Sequence, residues 1–156
     1  MRRWRSSLCT LVLCIAVCLP LPLVASPVIG TIDPAVTQAN IHETICVPGY
    51  SQRVRPPKSV TSRIKRELLA NAGLTGQARL YELDHLVSLE LGGHPTSRDN
   101  LWLQPWAGAD GALVKDRIEW RLHRAVCRLQ VSLAAAQRCM MQDWQTCPSL
   151  LAAKDL

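Results

Sequence analysis

Hydrophobic positions along the chain fall into three distinct patterns. Leu8 to Ala25 is almost continuously apolar, with Pro20 and Pro22 near its end and Arg2, Arg3 and Arg5 ahead of it. Such a run reads as a secretory signal peptide over residues 1–25, cut after Ala25. An uncleaved anchor helix and a lipoprotein cut before Cys18 are the alternatives. From Ser26 to Asn40, Pro27, Gly30 and Pro34 interrupt a stretch without helical period. Pro48-Gly49 reads as a turn, and Arg53-Val54-Arg55 as strand or loop ending at Pro56-Pro57. Residues 26–60 are therefore expected to be an extended segment. Ser62 is expected to cap a helix over Arg63–Ala72, closed by Gly73. Ala78 to Leu91 alternates and then runs apolar, which predicts a strand, a bend and a second strand, with a polar loop over Gly92–Asp99. Leu101-Trp102-Leu103 resumes as a strand closed by Pro105. Val114, Ile118, Leu122, Ala125, Val126 and Leu129 then recur mostly at steps of three and four, the mark of a helix with one buried face over Asp110–Leu129. Ser132 predicts the cap of a second helix, Leu133–Trp144, stopped before Pro148. The sum is an α+β domain over residues 61–147 that closes on a helix pair, with a tail at 148–156.

Composition changes this picture in two places. The chain carries 18 Lys and Arg against 12 Asp and Glu, a net charge of +6. Removing the leader takes three basic residues and no acidic ones, so the remainder carries 15 − 12 = +3. That charge permits a polyanionic partner without requiring one. Of the seven cysteines, Cys9, Cys14 and Cys18 leave with the leader. Cys46, Cys127, Cys139 and Cys147 remain, an even set for an exported chain, and two disulfides are expected. Three connectivities are open; Cys46–Cys127 with Cys139–Cys147 is the one carried forward. A four-cysteine zinc site would show close pairs, and none is present.

Asp84-His85 and Asn100 are the residues whose chemistry stands out. Hydrolysis of a phosphodiester needs a base for the attacking water, and neutral imidazole has a suitable pKa, so His85 fits that role. It also needs a cation to stabilise charge on phosphorus and on the leaving oxygen. Asp84 offers the hard carboxylate oxygen that such a cation prefers. Asn100 can tie the glycine loop to the strand that carries the base. On the following helix Asp116, Glu119 and His123 lie on one stripe at i, i+3 and i+7, and Glu119 and His123 are candidate further metal ligands. The bland alternative pairs Glu119 with Lys115 one turn back on a solvated face. Arg98 is a candidate phosphate clamp. The basic group Arg63, Lys65 and Arg66 reads as a solvated helix face ahead of a phosphate contact, and Trp102 as core. His42 and His94 read as surface residues, and Glu90 as structural.

The segment Leu83-Asp84-His85-Leu86-Val87-Ser88-Leu89-Glu90-Leu91-Gly92-Gly93, followed by Arg98-Asp99-Asn100-Leu101-Trp102, resembles the HNH, or His-Me finger, endonuclease superfamily, in particular its small secreted members. The likeness is sharp over Leu83–Trp102 and weaker from Thr44 to about Trp144. It implies a ββα-metal core with His85 as general base, Asp84 as metal ligand and Asn100 as the residue that holds the loop. Two positions depart from the pattern. Ser88 stands where proline is usual, and Ala109 stands nine residues after Asn100, where the last histidine normally falls. The resemblance implies an exported, monomeric endonuclease, secreted or periplasmic and without stable membrane association. Its substrate would be DNA ahead of RNA, and its cofactor a divalent metal: Mg²⁺ by the oxygen ligands, or Zn²⁺ if His123 takes part. The competing expectation is a non-catalytic secreted binding module that keeps the motif as structure.

Overall fold

Tyr50 to Val54 forms a short helix, α1, entered through Gly49, whose φ of 80° is left-handed. Arg55 then turns extended, as a residue ahead of proline must. Pro57 caps α2, which spans Lys58–Asn71. This computed structural model describes residues 29–152; the expected leader and its cleavage site lie outside the described residues. Two expectations are corrected here. Residues 26–60 are not uniformly extended, since they contain α1 and the start of α2. Ser62 is not a cap, because the helix begins earlier, directly after Pro57, whose missing N–H costs nothing at a helix start. Only Ile64 and Leu69 of α2 are buried, so its first turn carries no apolar period to read.

The only sheet among the described residues is a hairpin. Strand β1 (Tyr81–His85) pairs antiparallel with β2 (Leu101–Pro105), with Tyr81 opposite Pro105 and His85 opposite Leu101. The second strand expected before Leu91 does not form. Leu86, Val87, Leu89 and Leu91 are buried within the connecting loop, which passes through a tight turn at Leu89–Leu91. Their apolar run comes from burial of a loop, and strand pairing plays no part. The expected Gly92–Asp99 loop contributes an isolated bridge, Gly93 to Ile32, which draws the N-terminal segment against it.

Helix α3 (Ala112–Cys127) follows the hairpin, and α4 (Leu133–Asp143) follows α3. Ser132 caps α4 as expected, its side chain accepting from the Ala135 amide at 3.2 Å. Ile118, Leu122, Ala125 and Val126 of α3 meet Ala136 and Met140 of α4, together with Val87 and Leu91, in one core. Pro148–Ala152, expected as tail, forms a last short helix, α5. The disulfides are Cys46–Cys127, which ties the N-terminal segment to the end of α3, and Cys139–Cys147 beyond α4. Both are compatible with an extracellular location. No described helix is long and apolar enough to cross a membrane. The architecture is thus α+β: helices around a two-stranded antiparallel sheet, fastened by two disulfides.

A candidate active site around His85

His85 is the last residue of β1, where the strand gives way to the loop. Its Nε2–H donates to the carbonyl of Pro95 at 2.9 Å. A carbonyl can only accept, so this bond fixes the proton on Nε2 and leaves the lone pair on Nδ1. The ring is buried, yet it borders a cleft of about 330 Å³ lined also by Arg55, Asp84, Asp116, Glu119 and Trp120. Burial lowers its pKa, with Arg55 and Lys115 acting the same way against the Pro95 bond and Asp84. The imidazole is therefore neutral at neutral pH, the form a base requires.

The loop that supplies Pro95 is pinned by Asn100. Its Nδ2 donates to the carbonyls of Val87 at 3.0 Å and His94 at 3.1 Å, and its Oδ1 accepts from the amides of Val87 at 2.9 Å and Thr31 at 3.4 Å. Gly93 completes the junction. A Cβ there would stand 1.7 Å from the Val87 carbonyl oxygen, so the loop can approach this closely only through glycine. Asn100 lies away from the cleft: it holds the loop and touches nothing that would react. His94 is also structural, its Nδ1 accepting from the amides of Thr96 and Ser97.

Lys115, on the first turns of α3, is the residue that sequence reasoning undervalued. Its side chain has no solvent exposure. The ammonium donates to Asp84 Oδ2 at 2.6 Å, to the His85 carbonyl at 2.7 Å and to Glu119 Oε1. All three of its N–H groups are thereby used. The pairing of Glu119 with Lys115, the bland alternative for this stripe, is what forms, but it forms in the interior, where it also joins α3 to the end of β1. Burial opposes charge on Lys115; Glu119 and Asp84 outweigh it and raise the ammonium's pKa.

One ammonium does not balance the acids around it. Burial pushes the Glu119 carboxyl up, against the pull of Lys115, and Asp84 and Asp116 push the same way. Asp116 is raised by burial and then by Asp84. Glu82 is pushed up to about 7 by burial, then by Asp84 and Asp116. Lys115 engages one oxygen of Asp84 and one of Glu119, and among the described residues Asp116 forms no ion pair. The spare carboxylate oxygens are hard donors of the kind a divalent cation of the Mg²⁺ type prefers, but among the described residues Asp84, Asp116 and Glu119 do not bring three ligand atoms within 4.8 Å of one another.

Two expected site residues lie elsewhere. His123, expected beside Glu119 as a ligand, turns instead to the N-terminal segment. Its Nε2–H donates to the Ile45 carbonyl at 2.9 Å, and it lines a neighbouring cleft. Its register on the stripe is as expected, but the far end of that stripe faces Ile45 and Cys46. There the ligand atoms of Cys46, His123 and Cys127 lie within 4.8 Å of one another. This group could hold a metal ion only with its two sulfurs reduced to thiols; in the folded chain they are joined as a disulfide. Arg98, expected as a phosphate clamp, is ion-paired to Glu67 on the surface and does not line the His85 cleft. Arg55 does line it. Nothing in the sequence marked Arg55, because α1 and the double proline that aim it were read as loop.

No protein-family model, no curated protein and no solved structure matches the chain.

Proposed function

We propose that the chain is an exported, metal-dependent endonuclease of the HNH type, which hydrolyses phosphodiester bonds in DNA, with RNA the less favoured substrate. The observation that carries this reading is the bond from His85 Nε2 to the Pro95 carbonyl, which holds a buried ring at the border of a cleft lined by Asp84, Asp116 and Glu119 and leaves Nδ1 as the ring's acceptor. In this reading Nδ1 takes a proton from water as the water oxygen bonds to phosphorus. The bond from phosphorus to the 3′ oxygen breaks, and solvent returns a proton to the leaving oxygen. Asp84 would be the first ligand of the divalent cation, with Asp116 and Glu119 the nearby acids that would have to close on it; the cation would supply charge stabilisation for the phosphorane and the leaving oxygen. Asn100 keeps the Pro95 loop, and through it the imidazole, in place. The hairpin followed by α3 gives the β-β-α order such a centre uses, and His123 has no part in it.

A second reading, a non-catalytic binding module, draws support from Lys115, whose ammonium already satisfies part of Asp84 and Glu119. Incubation of the oxidised mature chain with supercoiled plasmid in Mg²⁺, Mn²⁺ or Zn²⁺ separates the two. Nicking that EDTA abolishes supports the endonuclease; intact plasmid under every metal supports the binding module.

A further inference from the structure

The His85 cleft shares lining residues with two others. On one side it shares Arg55 and His85 with a cleft of about 450 Å³ that also contains Lys58 and Lys65 against a single acid, Glu82. On the other it shares Ser51, Glu90 and Trp120 with a cleft of about 300 Å³ that also contains Tyr50. His85 thus stands between a basic arm and an aromatic arm. In the basic arm Arg55 is exposed and forms no ion pair among the described residues, while Lys65 is anchored on the Tyr81 carbonyl at 2.6 Å. In the aromatic arm each ring carries an arginine: Arg124 lies 4.5 Å from the Trp120 ring centre, and Arg53 lies 5.9 Å from that of Tyr50. Trp120 is 53% exposed, so it contributes little to the core.

A cationic arm, a hydrolytic centre and an arginine-backed indole in series match the parts of one ligand class. Guanidinium and ammonium groups take backbone phosphates, and an exposed ring takes the face of a base. A base can offer its face only where the strand is unpaired, because in a duplex both faces are stacked. We propose that the three clefts form one groove for an unpaired stretch of DNA, its backbone crossing Arg55 and Lys58, its scissile phosphate at His85 and the adjoining base stacked on Trp120. The placing of the scissile phosphate rests on the hydrolytic reading above; the groove itself does not.

The test is binding without cleavage. Fluorescence anisotropy of the full oxidised mature chain in EDTA, at fixed low salt, would compare a short labelled single strand with a hairpin duplex of the same sequence. The single strand should bind about tenfold more tightly or better, and Trp120→Ala should weaken it by about 5- to 150-fold, the range expected for one stacked base. Trp120→Phe should retain most of the affinity. Trp120→Ala should leave the duplex, and a strand abasic at the stacked position, unchanged. Arg55→Ala should weaken single strand and duplex alike. Equal affinity for both probes, no binding of either, or a Trp120→Ala variant that binds like wild type would overturn the groove. Trp120-dependent binding by a chain that cleaves neither plasmid nor the single strand in Mg²⁺, Mn²⁺ or Zn²⁺ would uphold the groove and sink the hydrolytic reading. Efficient nicking of duplex plasmid without any effect of Trp120→Ala would do the reverse.

Discussion

Lys115→Met removes the ammonium and leaves the methylene volume nearly filled. Three acceptors then lose their donor: Asp84 Oδ2, Glu119 Oε1 and the His85 carbonyl. Glu119 retains only 10% side-chain exposure and Asp84 19%, so water replaces the lost bonds poorly. Breaking a buried pair by removing one partner costs about 3–5 kcal/mol, because the surviving charge stays desolvated. With a urea slope of about 1–3 kcal/mol per molar for a domain of this size, the unfolding midpoint should fall by roughly 1–5 M at neutral pH. The penalty should also depend on pH. Losing Lys115 removes the main influence that lowers the Glu119 pKa, so that pKa rises further in the variant. A carboxyl raised in the folded state favours folding while protonated and loses that advantage as pH climbs through its folded pKa. The gap between wild type and Lys115→Met should therefore stay level up to about pH 8, the folded pKa of Glu119 in the wild type, and widen above it. Adding Glu119→Gln should change little at neutral pH, where the variant's carboxyl is protonated, and should recover the additional loss above about pH 8, where it would otherwise ionise unpaired. Urea unfolding followed by far-UV circular dichroism checks all three statements. A loss below about 1 kcal/mol, or one independent of pH, would refute the claim that this ammonium is the electrostatic centre of the site.

Asn100→Ala strands the Val87 and His94 carbonyls and the Val87 amide, so it should cost about 2–4 kcal/mol and abolish nicking; Asn100→Asp keeps the amide contacts but sets an oxygen against the two carbonyls in the interior, so it should lose at least as much, which thermal unfolding resolves. Serine replacement of Cys46 and Cys127, which close a separation of 81 residues, should cost about 4–5 kcal/mol; replacement of Cys139 and Cys147, separated by 8, should cost about 2–3 kcal/mol. Denaturation of the two double variants would reveal a reversed order if the chain-entropy account fails. Glu82, raised from 4.5 to about 7, favours folding below pH 4.5 and loses that contribution as pH rises through 7. Glu82→Gln should accordingly gain up to about 1 kcal/mol near pH 8, after discounting for its partial exposure, and almost nothing near pH 4. A gain confined to acid pH would contradict that sign.

How far the sequence could be read follows from the range of each signal. The amphipathic period of α3 and the Ser132 cap are local, and both elements lie close to where the pattern puts them. The Asp84-His85 and Gly93…Asn100 segments were legible because their chemistry and their steric demands act over a few residues. The apolar run Leu86–Leu91 misled because a buried loop and a buried strand have the same composition. Lys115 was legible only as a solvated partner of Glu119. Its burial depends on the end of β1 closing over it, which no spacing within α3 reveals. His123 was placed on the correct stripe, but which neighbour meets the end of that stripe is decided by Ile45 and Cys46, far away in sequence. Arg55 reaches the cleft because a left-handed Gly49 and the Pro56-Pro57 pair aim it there, a consequence of backbone geometry more than of residue type.

The central claim is that His85, through Nδ1, is the base. Its most direct test is the single-turnover rate of plasmid nicking by the oxidised mature chain in saturating Mg²⁺, beside His85→Ala. The account predicts metal-dependent nicking that His85→Ala slows by about 10²- to 10⁴-fold, the contribution typical of a positioned base, with the fold preserved by circular dichroism. Equal rates for the two proteins would contradict it.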